Sequence, residues 1–254
     1  MSSSERYLDW VGTTTPRSAD KSDYDKDPLE IFHQVQVDVD TEASIKVVDD
    51  PQETRGRVWL FDKPSHDTSV RCQSSGIVPL YEPGARYEAW DEGEIYDISW
   101  SSLLMPMTDE ESQKFGSYIV FDWRSYQGGV QDSPFHLKVS KKAGSGLGLD
   151  LVHSNESRQS VTIWEGAIES GQWQDIRLRV RFSGNRTQGW IRLYLNGEAQ
   201  DFSRDDNNGP TQAQEFRGRT WDYSGSPKWG VYNRNNPGQN LKHYLDSPRI
   251  RRIK

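Results

Sequence analysis

Cysteine is nearly missing from this chain: its 254 residues include one, Cys72. A single thiol excludes an internal disulfide framework and any multi-cysteine metal centre. Long apolar runs are missing as well. No stretch approaches the roughly 18 consecutive apolar residues of a membrane-spanning helix, so no membrane partner is expected. Positive charge is in deficit: the net charge of -7 gives a nucleic-acid partner no support from the overall field. The helical period is almost absent, and TDEESQKFG alone has the makings of one short surface turn. No repeat or low-complexity tract occurs. The opening residues MSSSERYLDW lack the basic flank and apolar stretch of a secretion signal.

What is present is aromatic and strand-patterned. Hydrophobic residues make up only 33% of the chain, yet ten Trp, eleven Tyr and eight Phe carry much of the apolar area. Aromatics suit pleated strands and sugar-binding grooves alike. Residues 1–28, rich in Ser, Thr and Asp, read as a polar arm, and 29–254 as one domain long enough to bury a core. Short runs with a period of two fill that domain: RGRVWLF, ARYEAW, EIYDISWSSLL, SYIVFDW, FHLKVS, LGLDLVH, SVTIWEG, DIRLRVRFS, WIRLYLN, KWGVYN and PRIRRIK. In DIRLRVRFS, Ile176, Leu178, Val180 and Phe182 point one way and the arginines the other. YLNGEAQ is an Asn-Gly hairpin signal. Many short strands with evenly spaced turns predict an all-β, two-sheet antiparallel sandwich or jelly roll. The polar stretch RDDNNGPTQAQEFRGRTWDYSGS predicts a long loop of the type that borders a cleft.

One strand stands apart. In GSPKWGVYNRN, alternation places Lys228, Gly230, Tyr232 and Arg234 on one face and Trp229, Val231 and Asn233 on the other. The first face carries groups that bind anions or move protons, with a glycine between them that would leave room for a guest. The bland alternative is an ordinary strand with an amphipathic tyrosine at its edge.

The order of segments VVDDPQETRGRVWLF, ARYEAWDEGEIYDISWSSLLMP, SYIVFDWRS, SPFHLKVS, SGQWQDIRLRVRFS, GWIRLYLNGE, KWGVYNR and HYLDSPRIRRI resembles the heparinase I-like polysaccharide lyases. Within that group it looks nearest to the glucuronan lyases, which are related to alginate lyases, and the resemblance spans roughly residues 46–254. It implies β-elimination at a 4-linked uronic acid, on an anionic polysaccharide, by a secreted monomer whose leader would precede Met1. Two acceptor triplets, at Asn155 and Asn185, fit a secreted origin.

By this resemblance Tyr232 is both base and acid, and Lys228 is a charge partner or subsite ligand. Arg86 would bind the uronate carboxylate, Glu88 would orient Arg86, and Trp90 would stack on a sugar. A surface ion pair is the plain alternative for Arg86 and Glu88. Asn233 and Arg234 would add substrate contacts. For tyrosine to act as a base, its free pKa of about 10 must fall, which nearby cations favour.

The central strand departs from the family pattern. Related lyases tend to carry Gln-x-His there, whereas this chain has Asp122 and Arg124 in IVFDWRSY. Arg124 would neutralise a uronate and Asp122 would hold Arg124 in place. Two histidines are candidates to supply the missing imidazole: His136, outward beside Lys138 in SPFHLKVS, and His66 in KPSHDTS. The resemblance also implies a structural Ca²⁺ near the C-terminal strand, with Asp246 as an oxygen ligand. The uronate polymer stays open between glucuronan, taken first, and alginate, a heparin-like glycan or an algal sulfated glycan. A non-catalytic carbohydrate-binding jelly roll is the reading from another class. A glycoside hydrolase would need two acids facing one cleft, an arrangement WDEGEIYD does not offer.

Overall fold

The computed structural model describes residues 17–18, 34–37, 43–64, 70–75, 92–105, 116–127, 130–142, 146–222, 225–233 and 238–253. In chain order its strands are β1 (Arg17–Ser18), β2 (Gln34–Val37), β3 (Ser44–Asp49), β4 (Arg57–Lys63), β5 (Arg71–Ser75), β6 (Ile95–Leu104), β7 (Tyr118–Gln127) and β8 (Val130–Lys141). They continue as β9 (Leu147–Ser154), β10 (Ser160–Ile168), β11 (Trp173–Arg181), β12 (Trp190–Leu195), β13 (Glu198–Ala199), β14 (Phe216–Arg217), β15 (Gly225–Tyr232) and β16 (Leu241–Arg252). No helix occurs among the described residues.

Two antiparallel sheets result, as the period-two pattern predicts. Nine of these strands form one sheet in the order β13-β12-β11-β6-β16-β4-β3, with β1 against β16 and β14 against β12. Seven form the other, in the order β10-β9-β8-β7-β15-β5-β2. The architecture is the expected all-β jelly roll. Within the expected N-terminal arm, Arg17 and Ser18 pair with Ile250 and Arg249 of β16.

The core lies between the sheets and consumes much of the aromatic content. Trp59, Trp123 and Trp229 are fully buried, and Trp100 nearly so. Trp100 of β6 stacks on Phe121 of β7 at 4.6 Å, and Trp123 of β7 meets Phe182 at 4.5 Å, so rings from opposite sheets interlock. Each such ring stabilises the fold by about 1.5–3 kcal/mol through burial, with more from ring geometry. These aromatics are therefore core, not sugar platforms.

Turn chemistry behaves as its residues dictate. Asn196 and Gly197 both take positive φ in the tight link between β12 and β13, the conformation that an Asn-Gly turn needs. The long polar stretch before β15 is built rather than loose. Arg219 is buried and forms short ion pairs with Asp132 of β8 and with Asp222, and Ser125 of β7 donates to Asp222 at 3.0 Å.

The outer face of the nine-stranded sheet holds one strong charge cluster. Asp97 of β6 is buried and accepts two 2.8 Å hydrogen bonds from Arg179 of β11 and one from Arg251 of β16. Burial pushes its carboxyl pKa up, but the bonds and charges of both arginines outweigh burial and hold it below the usual value. The stability it contributes is present above the unfolded-state pKa and is lost as pH falls through the folded one. Asp97→Ala should cost about 3 kcal/mol in urea unfolding at pH 7, the low end for a broken buried pair because both arginines are partly exposed. The gap from the wild type should close in acid. A cost under about 1 kcal/mol would reduce the cluster to an ordinary surface pair.

Candidate active site

The seven-stranded sheet turns one face to the core and the other away. On β7, Phe121 and Trp123 are fully buried core residues, so Asp122 and Arg124 point away from the core. On β8, Phe135, Leu137 and Val139 are core, which turns His136 and Lys138 outward. On β15, Trp229 and Val231 are core, which turns out Lys228 and, beyond a bulge, Tyr232.

Register then assembles a row across three strands. Lys228 pairs with Asp122, and Asp122 pairs with His136. Lys228 is 3% exposed and Asp122 is 1% exposed, although both face away from the core. This outer face is therefore sheltered from solvent. Arg124 Nε lies 3.7 Å from Asp122 Oδ2, and its Nη1 donates to Ser133 at 2.9 Å. Asp122 thus sits among Lys228, Arg124 and His136. It organises cations, as its place beside Arg124 in the sequence implies.

Burial pushes the pKa of Lys228 down to about 8; Arg124 and Arg71 lower it further, while the Asp122 charge partly opposes them. Burial also lowers the pKa of His136, against the pull of Asp122 and with the push of Lys138 and Arg124. Among the described residues, Asp122 Oδ1, Arg124 Nε and His136 Nδ1 are buried without a hydrogen-bond partner. Gln73 Nε2 of β5, turned away from the core by its neighbour Cys72, is in the same condition. Buried polar atoms in native proteins are paired as a rule, and a cluster of exceptions marks a place that handles polar ligands.

Tyr232 pairs with Ile119 of β7 on one side and with Arg71 of β5 on the other. The Arg71 guanidinium lies 5.5 Å from the centre of the tyrosine ring. Arg71 is the residue that sequence reading missed. Its signal was the outward-inward-outward alternation of Arg71, Cys72 and Gln73 in VRCQSSG, a run too polar to stand out as a strand.

The bulge that positions Tyr232 depends on Gly230. The sequence suggests that this glycine leaves space for a sugar, and the structure gives a different reason. Gly230 has φ 141°, and a Cβ there would lie 2.2 Å from the Cys72 carbonyl oxygen and 2.7 Å from Gln73 Cα. The close approach of β5 excludes a side chain. His243 of β16 fixes the bulge from the opposite sheet: its Nδ1 donates to the Gly230 carbonyl at 3.0 Å, and its Nε2 accepts from Ser102 at 2.8 Å. Burial lowers the pKa of His243 to about 4, so the ring is neutral, as this pattern requires.

Other expected site residues fall elsewhere or outside the described residues. Arg86, Glu88, Trp90, His66 and Arg234 are not among the described residues. Lys138 shares the outer face, but its ammonium lies 3.5 Å from Asp150. Asn233 is a correction: it is buried, and its amide donates to Gln239 at 2.8 Å, so it anchors the chain after β15 instead of facing substrate. Asp246 is a second. It is buried on the other sheet, 3.3 Å from Arg55 and 3.0 Å from Ser247 Oγ. A guanidinium stands where calcium would need oxygen ligands, and no group of three His, Cys, Asp or Glu gathers among the described residues. These surroundings do not fit a calcium site.

The chain shows three kinds of likeness to known proteins. The model of a polysaccharide lyase family matches residues 30–249. The fold is similar to an alginate lyase from Pseudomonas aeruginosa, with TM-score 0.54 and 13% identity over 81% of this chain and 84% of that one. It is also similar to a family 7 alginate lyase variant bound to substrate, with TM-score 0.51 and 13% identity over 82% of each chain. A botulinum neurotoxin type G receptor-binding domain matches at TM-score 0.49 and 8% identity over 85% of this chain, which spans 42% of that one. A search of curated proteins finds no match.

Proposed function

Because the chain belongs to the polysaccharide lyase family, whose model covers residues 30–249, we propose that it cleaves a 4-linked uronate polysaccharide by β-elimination on the outer face of the seven-stranded sheet. The observation that carries this reading is the row of Lys228, Asp122 and His136, with Arg124 alongside: it is sheltered, yet polar atoms of Asp122, His136 and Arg124 lack a hydrogen-bond partner among the described residues.

In β-elimination a base takes the C5 proton, the C4–O4 bond breaks, an acid protonates the departing O4, and a double bond joins C4 and C5. The C5 proton is scarcely acidic while the neighbouring carboxylate keeps its charge. Neutralising that carboxylate and stabilising the developing enolate is the main electrostatic task. Lys228, Arg124 and Arg71 supply cationic charge around this row, and Asp122 lies 3.7 Å from Arg124. A group that can move a proton at both atoms must stand close by. Tyr232 takes that role in our reading, with the Arg71 guanidinium 5.5 Å from the centre of its ring.

Glucuronan remains the first choice of polymer on the order of the sequence segments. Alginate is the second reading, and what favours it is the similarity of the fold to two alginate lyases. Incubation with polyglucuronate, alginate, heparin and a neutral glucan separates the options. The expected result is ultraviolet absorbance from an unsaturated uronate with one of the acidic polymers and none with the glucan. New reducing ends without that absorbance would mean hydrolysis and would end the lyase reading.

A further inference from the structure

The nine-stranded sheet carries a groove on its outer face, on the opposite side of the molecule's core from Tyr232. Its floor is β6, where outward Ser99 and Ser101 alternate with Ile98 and Trp100 of the core. Small residues on this central strand lie between long ones on both neighbours. Ser99 pairs with Arg177 of β11 on one side and with Arg249 of β16 on the other. The Arg177 guanidinium lies 3.8 Å from the centre of the Tyr194 ring, so the two form a flat wall. Arg55 closes one end, bridging Asp175 at 3.0 Å and Asp246. The groove encloses about 490 Å³, within the range of roughly 300–1,000 Å³ typical of ligand sites.

The charge on this face runs against the charge of the whole chain. The protein has a net charge of -7, yet β11 presents Arg177, Arg179 and Arg181 in succession outward, and β16 presents Arg249 and Arg251. Asp97 pairs with both Arg179 and Arg251. Arg177, Arg181 and Arg249 have no ion pair among the described residues. Alternate residues on a strand recur about every 6.6 Å and neighbouring strands every 4.7–4.9 Å. The result is a lattice of cations beside a flat aromatic wall, complementary to a ligand that repeats both carboxylates and sugar rings.

We propose that this groove is a second, non-catalytic binding site for an anionic polysaccharide, which holds the polymer on the sheet opposite the one that cleaves it. The choice of ligand rests on the uronate substrate proposed above; the cationic groove does not. Asp175 is engaged by Arg55 and Ser101, and Tyr194 lies against Arg177 without a sheltered row of polar groups like that around Lys228, so a chain seated there is held and not cut.

The test compares affinity electrophoresis in gels containing polyglucuronate, alginate or heparin. The Tyr232→Phe background is used so that the polymer persists. Adding Arg177→Ala and Arg249→Ala should weaken retention by about tenfold, the product of two exposed charge contacts. The paired Arg→Lys changes should restore most of it, which separates lost charge from lost folding. With Tyr232 intact, the double alanine variant should process a short uronate oligosaccharide at the wild-type rate and the long polymer more slowly. Unchanged retention, or equal loss on oligosaccharide and polymer, overturns the second site. Absence of retention of the parent protein by all three polymers overturns it as well. Retention that depends on Arg177 and Arg249 but yields no unsaturated product from the wild type keeps this site and removes the lyase reading.

Discussion

Tyr232→Phe is expected to lower kcat on the responsive polymer by about 10³- to 10⁴-fold with little change in polymer affinity. General acid–base groups contribute about 10²- to 10⁴-fold, and one residue acting in both proton transfers belongs at the top of that range. The substitution removes one oxygen and keeps the ring. Arg71 can therefore still lie over it, and the bulge at Gly230 keeps its contacts with Cys72 and His243. Thermal unfolding of the variant should match the wild type. A folded Tyr232→Phe protein that still forms unsaturated uronate at near wild-type rate would remove Tyr232 from the chemistry.

The role would then pass to His136. It lies across from Asp122, its Nδ1 is buried without a partner among the described residues, and burial lowers its pKa, which favours the neutral imidazole. The two assignments predict different variants to be dead. His136→Gln should affect binding and rate modestly if Tyr232 moves the proton, and should abolish turnover if it does not.

The strands that could be read from sequence were those whose faces are chemically distinct. On β11, Ile176, Leu178 and Val180 are buried and Arg177, Arg179 and Arg181 are not, so alternation alone fixed both faces. The outward placement of Asp122, Arg124, His136 and Lys228 follows from the same logic: Asp122 and His136 lie between core residues, and Arg124 and Lys228 each adjoin one. β5 was missed because RCQSS has one apolar residue, and its identity as a strand comes from pairing with β15 and β2, distant in sequence. Arg71 went unnoticed for that reason. Gly230 shows the same limit differently. Its need for positive φ and for a bare backbone arises from Cys72 and Gln73 on a neighbouring strand, and nothing local to KWGVYN announces it. The resemblance implies a substrate contact for Asn233, but its partner is Gln239, six residues further along the chain.

The second large effect is expected at Lys228, and its signature is a pH profile. A free lysine titrates near 10.4, whereas burial, with Arg124 and Arg71 adding to it, brings Lys228 down to about 8. The folded protein therefore gives up this proton between about pH 8 and 10 while the unfolded chain still holds it. By linkage, stability should rise with pH through that window on account of this residue. Catalysis should move the other way. If the ammonium meets the uronate carboxylate, kcat/KM, which reports groups of the free enzyme, should fall as pH rises through about 8. Lys228→Met should lower kcat/KM by about 10²-fold at neutral pH, the scale of losing one preorganised electrostatic donor, and should abolish that alkaline limb. Removing the ammonium also leaves Asp122, 1% exposed, with less cationic company, so the methionine variant needs a partner that preserves charge. Lys228→Arg supplies it: arginine stays protonated, so the limb should move beyond pH 10 while part of the activity survives. An alkaline limb near pH 8 that persists unchanged in both variants would assign the titration to another group and leave Lys228 as a structural partner of Asp122.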